Sequence, residues 1–418
     1  MRTLDIWWDG RLVGQLTQNR HGELGFAYTP EWLNDVAAQP LSASLPKRAG
    51  PFTRRECRPF FGGLLPEESQ RDAAAEILGV SRDNDFALLD RLGGDVAGAL
   101  QLLPPGETPA APTIDRRPTK LDDAGLIGVL DKLPVRPLLA GEEGLRLSLA
   151  GAQSKVPVVL VDGAVALPAS GQPTTHILKP PILRFTATTE NEVFVMRLAA
   201  AIGLDVAPVE PRVVRGRTFL LVQRYDRVIG DDGSVRRIHQ EDFCQALGIP
   251  PETKYASEGG PTFRDCFALL RSVAARPAVE VLKLLDAVIF NVIAGNADAH
   301  GKNFSILYDG EGPRLSPLYD LLATTAYPGL SPDFAMKIGR RAKLAELDER
   351  GWAAFAVDTG LGLPLIRRRV AEISAAVATS SAEVARSLMR PGLDEVALSN
   401  LAGMIAGRAE QCARTARG

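Results

Sequence analysis

The chain has 418 residues, more than one ordinary core accommodates, so two or three domains are expected. Apolar residues make up 45% and charged residues 23%, and the formal net charge of −2 excludes a bulk electrostatic attraction to nucleic acid or to an anionic membrane. No apolar run approaches the ~20 residues of a membrane span, and the opening MRTLDIWWDG lacks the apolar core of a signal peptide, so a cytoplasmic location with no membrane partner is expected.

Residues 3–16, TLDIWWDGRLVGQL, set an Asp9-Gly10 turn between two β-forming runs and predict a hairpin. ELGFAYTPEWL adds a strand and a turn, and short helices with Gly-rich turns follow in LSASLPKR, FFGGLLPEESQRDAAAEIL and DNDFALLDRLGGDVAGALQLL. The Pro-rich, polar stretch 104–120 reads as a linker. LDDAGLIGVLDKL then predicts an amphipathic helix with Thr119 and Asp122 as its capping box. A strand-rich section from about 145 to 225 holds LRLSLAG, KVPVVLV, THILKP and VVRGRTFLLVQRYD, interrupted by one helix over 191–204. From about 240 onward the pattern is helical. AVEVLKLLDAVIFNVIAG is apolar on nearly every face, as a helix buried inside a lobe should be. The parts are thus a mixed subdomain over 1–103, a linker over 104–120, a strand-rich lobe over 121–226 and a helical lobe over 227–418. Two lobes of such different composition predict a cleft, and clefts host ligands.

The four cysteines, Cys57, Cys244, Cys266 and Cys412, form no CxxC pair, and the four histidines are scattered. A zinc or redox site has no support in that spacing. The dense polar loop GNADAHGKN after the buried helix is different. Asp298 and Asn303 stand five apart, the separation of Asp and Asn in the catalytic loop of protein kinases. There a carboxylate accepts the proton of the attacking hydroxyl, and a carboxamide oxygen faces a divalent cation on the phosphates. Lys302 lies beside them and is suited to neutralise charge on the transferred group. Asp320, 22 residues beyond Asp298, follows a short apolar run and precedes a possible helix, as a second metal-binding carboxylate would. Taken alone, Asp298 and Asn303 fit an N-capped turn equally well, and Asp320 alone reads more readily as a helix cap.

Upstream, Gly151 and its small neighbours sit between two strands, where backbone amides can approach phosphates. Lys179 ends an apolar strand, with Glu192 at the start of the next helix as a possible ion-pair partner. RTFLLVQRYDR runs from a strand into a polar crossover where main-chain groups of Gln223 to Tyr225 would pair with adenine. Each signal is weak by itself, a plain hairpin and an exposed strand-end lysine being the simpler readings. Their order along the chain is that of a kinase.

Block by block these residues resemble the HipA family of bacterial serine/threonine kinase toxins. LSASLP, FFGGLLPE and RLGGDVAGAL are similar to its N-terminal subdomain; SLAGAQSK, PTTHILKPP, NEVFVMRLAAAIGL, LVQRYDR, QEDFCQALG and GNADAHGKNFSI with LSPLYDLL are similar to its kinase core. The resemblance implies an α+β, bilobal, protein-kinase-like fold with an extra small α/β N-terminal subdomain. It implies Asp298 as the catalytic base, aided by Lys302, with Asn303 and Asp320 holding Mg²⁺. ATP would lie against Ala150, Gly151, Ala152, Gln153, Lys155 and Lys179, with Gln223, Arg224 and Tyr225 at adenine and His300 in a structural place within the catalytic loop. It further implies an aminoacyl-tRNA synthetase as the protein substrate, a HipB-like DNA-binding antitoxin, DNA contact only through that antitoxin, and autophosphorylation of Ser148. The loop carries a second serine, Ser154, as an alternative acceptor. Two rival readings are a catalytically inactive kinase-like module that binds an antitoxin or effector, and a metal hydrolase built on Asp298 and His300. Retention of Asp298, Asn303, Asp320 and Lys179 weighs against the first, and the lack of a further ligand at suitable spacing weighs against the second.

Overall fold

The computed structural model describes residues 1–109 and 117–416. The chain forms two compact units. The first comprises Met1–Pro180, Leu221–Glu252 and Leu307–Gly310, and the second Pro181–Leu220, Thr253–Ile306 and Glu311–Gly418.

The first unit begins with a four-stranded antiparallel sheet in the order Leu24–Tyr28, Arg11–Gln18, Arg2–Trp8, Leu100–Leu103. The expected hairpin is present. Trp8 pairs with Arg11 around a two-residue turn, and Asp9 and Gly10 take φ of 48° and 72°. Positive φ at both central positions is what a twisted two-residue hairpin requires. Leu4, Ile6, Val13 and Leu16 of this sheet are buried in one core with Phe60 and Phe61 of the helix Arg54–Gly62 and Leu88 and Leu89 of the helix Asp85–Leu92. Thr53 and Glu56 close a capping box on the first of these helices.

A second sheet in this unit runs Thr119–Lys120, Ala164–Leu167, Val156–Val161, His176–Lys179. Part of the stretch read as a linker is therefore an edge strand, while residues 110–116 lie outside the described ones. The cap of the helix Asp123–Lys132 is Asp122, whose carboxylate accepts from Gly125 N at 2.7 Å; Thr119 is committed to the strand instead. The loop after Leu147 is laid onto the N-terminal segments. Ser148 N donates to Asp95 O at 3.0 Å, Asp95 N to Arg146 O at 2.9 Å, and Glu67 N to Gly151 O at 3.3 Å. Close approach explains glycines of that region: a Cβ on Gly63 would stand 2.7 Å from Gln245 Cγ, and one on Gly98 2.9 Å from Gln240 N.

Glu241, on the strand His239–Asp242, is 1% exposed. It accepts from Ala43 N at 2.9 Å and from the hydroxyls of Ser42 and Tyr308. Burial pushes its carboxyl up to about 7, against the pull of those three donors. The fold thus favours the neutral acid. That advantage is whole below the ordinary value near 4.5 and fades as pH rises to about 7. Glu241→Gln, which cannot ionise, should gain stability relative to wild type across that interval. Urea midpoints of the two proteins at stepped pH check this, and a constant difference between them refutes it.

The second unit is mainly helical: Thr188–Ala201, Phe263–Val273, Pro277–Ala294, Glu349–Thr359, Leu363–Leu388 and Glu395–Thr415. Pro277–Ala294 is the buried helix expected from its apolar faces, with Leu284, Leu285, Val288, Ile289, Phe290 and Ile293 fully enclosed. Gly295 ends it at φ 76°, and a Cβ there would lie 2.2 Å from Thr325 Oγ1. A glycine is required both for the left-handed turn and for the contact, and the polar loop starts at that point.

Candidate active site

In the second unit the loop after Gly295 is stitched down at its base. Asn291 Oδ1 accepts from Asn296 Nδ2 at 2.8 Å. Ala297 N donates to Thr324 Oγ1 at 2.8 Å, and Ala297 O accepts from Ala335 N at 2.7 Å. With the backbone so fixed, Asp298 is left exposed, its Oδ1 accepting from the Tyr255 hydroxyl at 2.9 Å. His300 and Asn303 form a reciprocal cap around the turn Gly301–Asn303: His300 N donates to Asn303 Oδ1 at 3.1 Å, and Asn303 N to His300 O at 3.0 Å. His300 is buried, in a structural place. Lys302 is buried too, and its carbonyl accepts from the Tyr319 hydroxyl at 2.7 Å.

Asn303 Nδ2 then reaches Asp320 Oδ2 at 3.2 Å, bringing together two residues 17 apart in sequence. Asp320 takes φ 57°, a left-handed conformation that Asp tolerates better than most residues. No helix starts after it, contrary to the sequence expectation; the next regular element is the short turn Thr324–Ala326. The positive φ sets Asp320 apart from an ordinary N-cap, which has extended backbone.

A residue that sequence reasoning passed over holds the segment beyond Asp320. Asn191, 1% exposed on the helix Thr188–Ala201, accepts from Ala323 N at 2.8 Å and donates to Ala323 O at 3.1 Å and the Tyr327 hydroxyl at 3.0 Å. The neighbouring Glu192 is buried as well. Asn191 lies in the polar run Thr188 to Glu192 that opens the helix, all of it buried; such a run reads locally as a solvated first turn and singles out none of its members. Tyr255, in KYASEGG, gave no signal.

In the first unit Gly151 takes φ 110°, and the Lys155 ammonium closes the loop by donating to Ala150 O at 2.7 Å. Ala150, Ala152, Gln153, Ser154 and Lys155 are half-buried, and Gln153 Nε2 lies 3.4 Å from Pro180 O. Ser148 is fully buried, its hydroxyl donating to Leu64 O at 2.7 Å. Lys179, at the end of its strand, is buried. Gln223 is exposed, and the Tyr225 hydroxyl is taken by Gln240. The Arg224 side chain does not face solvent at all: it pairs with Asp226 at 2.7 Å and Asp95 at 3.1 Å, and its main-chain N donates to Thr175 O at 2.9 Å. Any nucleotide contact at that position falls to other groups of the segment.

Residues 4–103 match the HipA N-terminal domain and residues 147–384 the HipA-like C-terminal domain. Y4mE of Sinorhizobium fredii, a candidate kinase, is 67% identical over 98% of both chains. The serine/threonine-protein kinase toxin HipA of Shewanella oneidensis is 32% identical over 94% of this chain and 91% of its own length. The solved structure of the Shewanella oneidensis HipA, HipB and operator DNA complex superposes with a TM-score of 0.85 at 28% identity, covering 97% of this chain and 96% of the other. The fold is accordingly α+β and kinase-like, and no helix among the described residues is long and apolar enough to cross a membrane. The chain belongs to the HipA family of kinases.

Proposed function

We propose that the protein transfers the γ-phosphoryl group of ATP to a serine or threonine hydroxyl of another protein, as the toxin of a toxin–antitoxin pair. The observation that carries the reading is the meeting of Asn303 and Asp320 on the loop that exposes Asp298. In this reading Asp298 takes the acceptor's proton, and Lys302 offsets charge on the transferred group. Asn303 and Asp320 fit Mg²⁺ by donor chemistry: one carboxamide oxygen and one carboxylate are hard ligands of low charge, and magnesium completes its shell with water and phosphate oxygens. When bound, the ion supplies positive charge to the phosphate oxygens.

Ala150 to Gln153, Lys155 and Lys179 bind the phosphates, and main-chain groups near Gln223 and Tyr225 border adenine. Residues 1–103 act as the N-terminal subdomain, 104–120 as the linker, 121–226 as the N-lobe and 227–418 as the C-lobe. The substrate is an aminoacyl-tRNA synthetase in the cytoplasm. The partner is a HipB-like antitoxin, through which the protein reaches operator DNA, in keeping with a net charge of only −2. Incubation with γ-labelled ATP and Mg²⁺ tests the reading. Labelled phosphoserine or phosphothreonine supports it; no turnover favours the inactive binding module, and ATP hydrolysis without phosphoprotein favours the metal hydrolase.

Autophosphorylation falls on Ser148. Its hydroxyl is enclosed against Leu64 O, a site with no room for a phosphate carrying roughly −1.5 to −2 charges. The modified loop has to leave Leu64 and Asp95, and the phosphate-binding backbone leaves with it. Protein phosphorylated at Ser148 should therefore lose ATP binding, as read by nucleotide titration of phosphorylated and unphosphorylated samples and of Ser148→Asp. Equal affinity in the two samples rejects the idea, and mass mapping to Ser154 transfers the site there.

A further inference from the structure

We propose that Tyr255 is a positioning residue for phosphoryl transfer: its hydroxyl fixes the Asp298 carboxylate in the orientation that receives the acceptor's proton. The inference rests on the reading of Asp298 as the base. A carboxylate on an exposed loop turns about its side-chain torsions, and each misoriented rotamer is lost to catalysis. A general base works with its oxygen within about 2.6–3.2 Å of the atom that carries the proton, and small displacements are costly in rate. Holding one carboxylate oxygen in a hydrogen bond directs the other. Tyr255 does this, donating to Asp298 Oδ1 at 2.9 Å.

The tyrosine is itself well held. Its ring stands edge-on to the His300 imidazole, centroids 5.3 Å apart at 79°, and the Lys254 ammonium lies 5.4 Å from the ring centre. Its carbonyl accepts from Glu258 N at 2.9 Å and Gly260 N at 2.8 Å, in a turn that only glycine closes, because a Cβ on Gly260 would stand 2.4 Å from Thr253 O. The next residue, Ala256, donates to Ala335 O at 3.4 Å, and Ala335 N donates to Ala297 O, beside the base. One rigid phenol with two side-chain torsions thus touches Asp298 and also His300, whose backbone N–H holds the Asn303 amide oxygen. A bond from a half-buried tyrosine to an exposed carboxylate adds little to folding. Its consequence is for the chemistry.

The test is label transfer from γ-labelled ATP, to the protein itself and to casein as an added acceptor, by wild type, Tyr255→Phe, Asp298→Asn and the double variant. Tyr255→Phe is expected to lower the maximal rate roughly 10- to 100-fold, the scale of loss when a catalytic group is slightly misplaced. The half-saturating ATP concentration and the melting temperature should stay at wild-type values. Adding Tyr255→Phe to Asp298→Asn should bring no further loss, because the tyrosine acts only through that carboxylate. A wild-type rate in Tyr255→Phe beside an inactive Asp298→Asn overturns the inference alone. Equal proportional losses in both backgrounds also overturn it, in favour of a purely structural role. Full activity in Asp298→Asn removes the base reading itself.

Discussion

Asp298→Asn is expected to lower phosphoryl transfer roughly 10²–10⁴-fold, the usual contribution of a general base, with nucleotide binding and thermal stability kept. The separation of the two effects follows from where the residue sits. Asp298 is exposed, and surface changes of this kind usually cost within about 0.5 kcal/mol. Asparagine retains an oxygen for the Tyr255 hydroxyl, so the loop keeps that hydrogen bond. What it lacks is basicity toward the acceptor's proton. The residues assigned to phosphate, Gly151, Lys155 and Lys179, are untouched, so ATP affinity should match wild type by calorimetric titration. A loss of rate smaller than about tenfold would be too little for a base and would leave Asp298 as a turn residue after all.

That turn reading was even with the catalytic one in the sequence, and the reason is physical. Asn, Asp and Gly satisfy local backbone groups wherever a chain reverses, and the loop does contain such a turn, the reciprocal cap of His300 and Asn303. Spacing alone cannot reveal that the Asn303 amide continues to Asp320. The local elements were readable because patterns of neighbouring residues announce them: the Asp9-Gly10 hairpin, the enclosed helix Pro277–Ala294 and the strand ending at Lys179. Thr119 was misread because a longer-range partner decided the matter: it had a strand to join. The Arg224 side chain was out of reach in the same way, its carboxylate lying 129 residues earlier. Asn191 was hidden for a like reason, since its partners Ala323 and Tyr327 lie 132 and 136 residues further on.

The Arg224 partner carries the second large effect: Asp95→Asn should destabilise the protein by about 3–5 kcal/mol at neutral pH, the usual result of breaking a buried ion pair from one side. Five charged side chains meet there almost without solvent, the carboxylates of Asp95 and Asp226 against the guanidinium groups of Arg224, Arg227 and Arg237. Both Asp95 oxygens are in use. Oδ1 accepts from Arg227 at 2.9 Å and Arg237 at 3.1 Å, and Oδ2 from Thr174 Oγ1 at 2.6 Å and Arg224 at 3.1 Å. Whichever oxygen becomes NH₂ would meet at least two donors, and three cations would face a single anion. Strain among like charges is already present, since burial and the neighbouring Arg224 bring Arg227 down to about 10. Burial alone would raise the Asp95 carboxyl, but Arg227, Arg224 and Arg237 outweigh it and hold it well below the usual carboxylate range. Its stabilisation is therefore complete above the ordinary value of about 4 and is lost as pH falls from there toward the lowered one. The deficit of Asp95→Asn in urea unfolding should be greatest near neutrality and shrink in acid, whereas a deficit independent of pH would mean that shape rather than charge is being lost. The same residue ties its backbone to Arg146 O and Ser148 N, so a loosened cluster should also weaken ATP binding through the loop that starts there. Wild-type nucleotide affinity in a destabilised Asp95→Asn would separate the cluster from the loop and leave it a fastening of the first unit alone.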